Sequence, residues 1–175
     1  MIMTPRLSKF ALTVHVTFSV SLLGAVAGFL ALAVAGLIGR DAQIVRGAYV
    51  AMDVTAWYVI VPLTFASLIT GIIQSLGTTW GLFRHYWVVA KLLLTILVTI
   101  VLLLQMGLIS HTARVAAETT LSSADLFEAR ISLVAHAAGG LLVLLLPVVL
   151  SVYKPRGRTR HGARKQHDQL ALSKP

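Results

Sequence analysis

The sequence predicts an all-α polytopic membrane protein, a bundle of four transmembrane helices. Three observations lead there. Four apolar stretches, Phe10–Ile38, Tyr49–Ser75, Tyr86–Ile109 and Phe127–Tyr153, occupy most of the 175 residues, and each exceeds the roughly 20 residues a helix needs to cross a bilayer. The chain is 57% hydrophobic and 12% charged, with a mean hydropathy of +0.85, a composition that one soluble core of this size could not hide. Most of its Lys and Arg residues lie outside the apolar stretches, ten of them on one side of the expected bundle. Residues 1–153 therefore read as one helical transmembrane domain and residues 154–175 as a basic, flexible cytoplasmic tail.

The first stretch is too long for a signal-peptide core, although Ala33-Val34-Ala35 resembles a weak cleavage site. At helical spacing Thr17, Ser21, Gly24, Gly28, Ala31 and Ala35 share a face, and Gly24 with Gly28 makes a G-x-x-x-G, the pattern that lets helix backbones approach closely. The opposite flank carries Ser8, His15, Ser19 and Ala33, which predicts protein or a polar cavity on both sides. Gly39, Arg40, Asp41 and Gln43 break this helix from the next.

In the second stretch Asp53, Trp57, Thr64, Ser67, Gly71 and Gln74 fall in one sector, predicted to face the bundle interior, with Pro62 opposite. Pro62 lacks an N–H, so it should bend the helix and leave the Tyr58 carbonyl needing another partner. Gly77-Thr78-Thr79-Trp80-Gly81 ends the stretch. Trp80, Phe83, Tyr86 and Trp87 then cluster where the third helix starts, as an interfacial aromatic belt does.

The third stretch places Lys91, Thr95 and Gln105 in one sector, and the fourth places Asp125, Ser132, His136, Gly140 and Pro147 in another. Asp53, Lys91 and Gln105 thus mark a polar seam. The hydroxyl residues are expected to bond the preceding helical turn or a neighbouring helix. Lys91, within two turns of the boundary, can reach back to the interface along its aliphatic stem. Ser122 and Asp125 have capping-box spacing, so the fourth helix should begin in water.

Charge sets the orientation. Ten Lys and Arg residues, Arg6, Lys9, Arg84, Lys154, Arg156, Arg158, Arg160, Arg164, Lys165 and Lys174, lie on the face of the termini; Arg40, Arg46, Arg114 and Arg130 lie on the other. Basic residues are retained on the cytoplasmic side, so both termini should be cytoplasmic in a multi-pass plasma-membrane protein. The formal net charge of +9 points to anionic lipid rather than nucleic acid, because the tail has no interleaved aromatic residues on which bases stack.

No cysteine is present, which excludes disulfides, thiolate metal sites and iron–sulfur clusters. There is also no G-x-S-x-G elbow, H-E-x-x-H, Walker loop or dinucleotide fingerprint, so the sequence indicates no catalysis. Histidine is the remaining chemistry, since neutral imidazoles ligate haem iron or copper without cysteine. His15 and His85 lie roughly 13 Å and 19 Å to the cytoplasmic side of their helix midpoints and His136 roughly 6 Å to the outer side. His15 with His85 is the pair at compatible depth; His136 is a further cofactor candidate, and His111 pairs poorly with it. Imidazoles hydrogen-bonded to a neighbouring seam or interface are the simpler alternative.

The run from Leu68 through Gly71, Gln74, Gly77, Trp80, Gly81, His85 and Trp87 to Lys91, and the end Ser151-Val152-Tyr153-Lys154-Pro155-Arg156-Gly157, resemble a family of small actinobacterial four-helix integral membrane proteins to which no activity is assigned. The resemblance implies a bacterial plasma-membrane protein. Helix Leu12-Thr13-Val14-His15-Val16 is also similar to that of copper-resistance D-like and haem-binding four-helix membrane proteins, which implies haem b or copper as cofactor. Three readings follow: a non-enzymatic membrane protein, a haem b or copper redox protein, and a small-solute or ion transporter resting on Lys91, Asp53 and Pro62.

The tail yields a first prediction. Lys154, Arg156, Arg158, Arg160, Arg164 and Lys165 follow the last helix directly, and such a cluster contributes about 1 kcal/mol per residue near an anionic leaflet. A tail peptide should bind anionic vesicles, lose most of that binding as salt rises, and ignore zwitterionic ones; salt-independent sedimentation with either vesicle would contradict the headgroup assignment.

Overall fold

A computed structural model describes residues 3–77, 85–118 and 124–153, with side chains from 127 in the last segment. Five α-helices build four spans: α1 Pro5–Ile38, α2 Ala42–Thr55 continued through a π turn Ala56–Ile60 into α3 Val61–Gly77, α4 Tyr86–Glu118, and α5 Ala124–Tyr153. Each span is long and apolar enough to cross a membrane. The all-α four-helix bundle expected from the apolar stretches is the fold observed. The helices outrun those stretches: α1 starts at Pro5, α2 at Ala42, and α4 continues to Glu118. Helix persists beyond the lipid-length segment because polar residues continue a helix until a cap or breaker stops it.

The caps are local. The Leu7 N–H donates to Thr4 Oγ1, with Pro5 in the first turn, where its missing N–H costs nothing. The Gly39 N–H returns to the Ala35 carbonyl at 2.9 Å and ends α1. Asp41 Oδ1 accepts from Gln43 and Ile44 N–H at 2.7 and 3.3 Å and starts α2. The break expected at Gly39–Gln43 is therefore a tight helical hairpin. Ser122 and the side chain of Asp125, like Trp80, Phe83, Arg84 and the tail from Lys154, lie outside what is described.

Each span packs on its sequence neighbours, and α1 also packs on α5, so the four close into a ring. The main apolar core fills the half of the bundle nearer the α1–α2 and α4–α5 connections, with Phe29, Ala33, Val45, Tyr49, Met52, Met106, Ile109, Ala116 and Leu133 among its members. Outside, Phe10, Tyr58, Leu104 and Leu142 stand exposed, as lipid-facing side chains do when lipid is as apolar as the core.

Two expectations are corrected by packing. The small-residue face of α1 lies on the exterior: Thr17, Ser21, Gly24, Gly28 and Ala31 are exposed, and a Cβ on Gly24 or Gly28 would meet nothing within 4 Å. Small residues permit close approach without compelling it. The buried face is instead the one with volume to fill a ring, Leu22, Val26, Phe29, Ala33 and Gly36.

The second correction concerns Pro62. Its missing donor is accommodated one turn earlier by the π turn, in which the Val61 N–H reaches back five residues to the Ala56 carbonyl. That widening also changes phase. Met52, Ala56, Ile60 and Thr64 are all buried, although steps of four drift by roughly 40° each in a regular α-helix. The π turn absorbs this drift, so Met52 and Ala56 continue the line of Thr64 and Ser67, while Trp57 is 49% exposed.

At the connection end, Arg130 of α5 joins three elements. Its Nε donates to the Tyr49 hydroxyl at 2.9 Å, and its Nη2 donates to the Gly36 and Leu37 carbonyls at the C-terminus of α1. A Cβ on Gly36 would sit 2.7 Å from Tyr49 Cζ, so glycine makes room for the ring that positions the guanidinium. We expect Gly36→Ala to lower stability by about 1–3 kcal/mol through overpacking, whereas Gly24→Ala stays within about 0.5 kcal/mol. Thermal unfolding in a neutral detergent measures both; equal behaviour of the two variants would contradict the packing described.

Candidate functional site

The other half of the bundle, where α1 and α4 start and α3 and α5 end, holds most of the polar side chains that sequence spacing assigned to seams. Ser and Thr hydroxyls mostly bond one turn back: Ser19 to His15, Thr70 to Ala66, Ser75 to Gly71, Thr95 to Lys91, Thr99 to Thr95 and Ser151 to Pro147. Some also join helices. Ser19 Oγ lies 2.9 Å from Ser67 Oγ, and His15 Nδ1 lies 3.1 Å from Thr70 Oγ1, tying α1 to α3. Lys91 Nζ donates to Ser151 Oγ at 2.7 Å, tying α4 to α5.

Between these two ties lies a cavity of about 460 Å³, lined by all four spans and within the size range of small-ligand sites. His15 and Ser19 line it from α1, Ser67, Gln74 and Ser75 from α3, Lys91 and Thr95 from α4, and Pro147 and Ser151 from α5. Three groups bring chemistry to this terminal cavity. The Lys91 ammonium is held by Ser151 and sits 5.4 Å from the centroid of the Trp87 ring, a cation–π distance. Both contacts lie toward the helix ends, the direction expected of a lysine reaching for the interface.

His15 is oriented by its partner. The Thr70 hydroxyl directs its one proton to the Ala66 carbonyl at 2.6 Å, so the imidazole Nδ1 is the donor to Thr70, and in the neutral form of the ring the lone pair is on Nε2. Gly71 leaves the space for that ring, since a Cβ there would lie 3.0 Å from His15 Cε1. The third group is Gln74, whose Oε1 is buried and has no hydrogen-bond partner among the described residues. An unsatisfied buried acceptor costs about 1–3 kcal/mol, an expense that a donor in the cavity would remove.

A second cavity, of about 390 Å³, adjoins the first toward the connection end. Its lining is chiefly Leu22, Val26, Phe29, Ile60, Leu97, Leu133 and Leu144, with Thr64, Gln105 and His136 as polar members. Thr64 Oγ1 is occupied by the Ile60 carbonyl, and His136 Nδ1 lies 2.7 Å from the Ser132 carbonyl. Gly139 and Gly140 border it with open space where a side chain would be.

The sequence-selected residues therefore separate. Lys91 and His15 share the terminal cavity, while Gln105 and His136 line the apolar one. Asp53 stands apart near the connection end, accepting from Ser110 Oγ at 2.6 Å, which in turn accepts from Trp57 Nε1 at 3.2 Å. His85 lies just before α4, its ring centroid 6.3 Å from that of Trp87, and is not part of either cavity lining. No group of three His, Cys, Asp or Glu side chains is placed to hold a metal among the described residues. Arg130 and Ser151 are site and packing residues that spacing alone did not select; Arg130 had a legible signal, a guanidinium one turn inside an apolar helix.

Fold and cavities together define a class, a four-span helical bundle with one mostly apolar cavity that carries a few polar side chains in one half and a more uniformly apolar cavity beside it. Among known proteins, no family model, no curated protein and no solved structure matches the chain.

The natural absence of cysteine makes a single-cysteine reporter clean. Ser151→Cys, in the terminal cavity, should react with a hydrophilic maleimide about tenfold or more faster than Leu104→Cys, which is 76% exposed but on the apolar exterior. Equal rates in reconstituted vesicles would contradict a water-accessible cavity.

Proposed function

We propose that the chain is a non-enzymatic integral plasma-membrane protein that binds a small anionic, hydroxyl-bearing solute in the terminal cavity, in the manner of a carrier. One observation supports this above the rest: three of the four spans direct the Lys91 ammonium, the His15 imidazole and the unpartnered Gln74 Oε1 into one space. The ammonium selects negative charge, and the two acceptors ask for O–H or N–H donors on the same molecule. A charged side chain that faces a cavity rather than lipid is the usual mark of a solute path.

Both termini are cytoplasmic in this reading, supported by the ten-to-four distribution of Lys and Arg, and the terminal cavity then faces the cytoplasmic half of the bilayer. The reading keeps the chain with the small actinobacterial four-helix family that its Leu68–Lys91 run resembles. Transport weighs more than a haem b or copper role because the cavity gathers a cation and one unpartnered acceptor, Gln74 Oε1, around one imidazole, His15, rather than around a pair.

Isothermal titration of the detergent-purified protein with glycerol 3-phosphate tests the proposal. Binding should be measurable, and Lys91→Met should weaken it by about tenfold or more, which is about 1.4 kcal/mol. Leu104→Ala on the exterior should leave it unchanged. No heat of binding, or equal affinity in Lys91→Met, would refute the solute site.

A further inference from the structure

Leu22 of α1 and Leu144 of α5 line both cavities. The two spaces are therefore neighbours that share Leu22 and Leu144, and one carries the polar groups that the other largely lacks, the polarity profile of one amphiphile. From the joint geometry we infer that the occupant is a single-chain anionic amphiphile, its hydroxyl-bearing phosphodiester headgroup in the terminal cavity and its acyl chain passing Leu22 and Leu144 into the apolar cavity. The inference rests on the proposed solute site and adds the chain to it.

Direction, length and volume support it. Lys91 lies five residues into α4, which starts at Tyr86, so a headgroup on its ammonium sits near the bilayer boundary. Along α4 the apolar lining runs from Leu97 to Ile109, starting roughly 9 Å deeper than Lys91 and ending roughly 27 Å deeper. The nearer part of this run lies at the depth a lipid chain occupies below its own headgroup, since one leaflet is about half of a hydrocarbon core of about 30 Å. At about 390 Å³ the apolar cavity falls in the size range of small-ligand sites.

The headgroup chemistry is equally restrictive. Lys91 Nζ supplies a cation, whereas Gln74 Oε1 and His15 Nε2 are acceptors. A glycerol phosphodiester satisfies all three, with its phosphate on the ammonium and its hydroxyls on the acceptors. In a lysophosphatidylcholine the free backbone hydroxyl is the lone O–H donor, and the choline adds none while bringing a positive charge toward Lys91.

Native mass spectrometry of the full chain in neutral detergent decides the matter with defined probes: palmitoyl lysophosphatidylglycerol, its octanoyl analogue, palmitoyl lysophosphatidylcholine and glycerol 3-phosphate. We expect the palmitoyl glycerol lipid to bind about tenfold or more tightly than the octanoyl and choline compounds, and more tightly still than glycerol 3-phosphate. Gly140→Leu, where the added side chain has open space, should fill the apolar cavity, weaken the palmitoyl probe about tenfold and spare glycerol 3-phosphate. Gln74→Leu should narrow the preference of glycerol over choline. If glycerol 3-phosphate binds as tightly as the palmitoyl lipid, the chain site falls while the solute site stands. If glycerol and choline lipids bind alike, the headgroup assignment falls. If no probe binds, both proposals fall.

Discussion

The constraint on which this bundle turns is the unsatisfied end of its first helix. The last carbonyls of α1 have no intrahelical donor and carry the negative end of the helix dipole, and here Arg130 supplies the donors to Gly36 and Leu37. Its guanidinium is in turn placed by the Tyr49 hydroxyl, and Tyr49 by the missing side chain of Gly36. Span one, span two and span four are thereby joined at one point. The dense apolar core lies in this half, because three spans held at a common point bring their large side chains into register.

The opposite half is held differently. Among the described residues its interhelical ties include single contacts between small or flexible side chains, Ser19 with Ser67, His15 with Thr70 and Lys91 with Ser151, and a backbone bond from the Met3 N–H to the Gly77 carbonyl. Each pair bridges two neighbouring spans and leaves the space between the pairs open. In lipid an interhelical hydrogen bond contributes only about 0.6 to 2 kcal/mol, so these ties set orientation more than they enforce density. Polar side chains that a tight core would exclude can then face the gap.

The π turn links the two halves. Without its extra residue the buried line of span two would drift away between Met52 and Thr64, and the half packed on Tyr49 could not share a helix with the half that carries Ser67, Thr70 and Gln74 to the cavity. Pro62, exposed beyond the turn, is the residue that makes a regular ladder unfavourable there. Because the proline faces outward, its ring takes no volume from the core.

Much of this was legible in the residues themselves. Span number, the hairpin at Gly39–Gln43, the back-bonding of hydroxyls and the reach of Lys91 toward the helix ends follow from apolar length, cap chemistry and side-chain reach, all local properties. Part of the site was legible for the same reason: His15, Lys91, Ser67 and Gln74 stand out as polar residues where lipid allows few. What the sequence could not decide were relations between helices. Periodicity gives the faces of one helix but not which face meets a neighbour, so the small-residue face of α1 proved exterior and Asp53, Lys91 and Gln105 proved to belong to separate places. A regular period of 3.6 also cannot anticipate a π turn, and an arginine in an apolar helix does not name the carbonyls it will cap. Those outcomes depend on how volumes fill a closed ring, which only the tertiary structure decides.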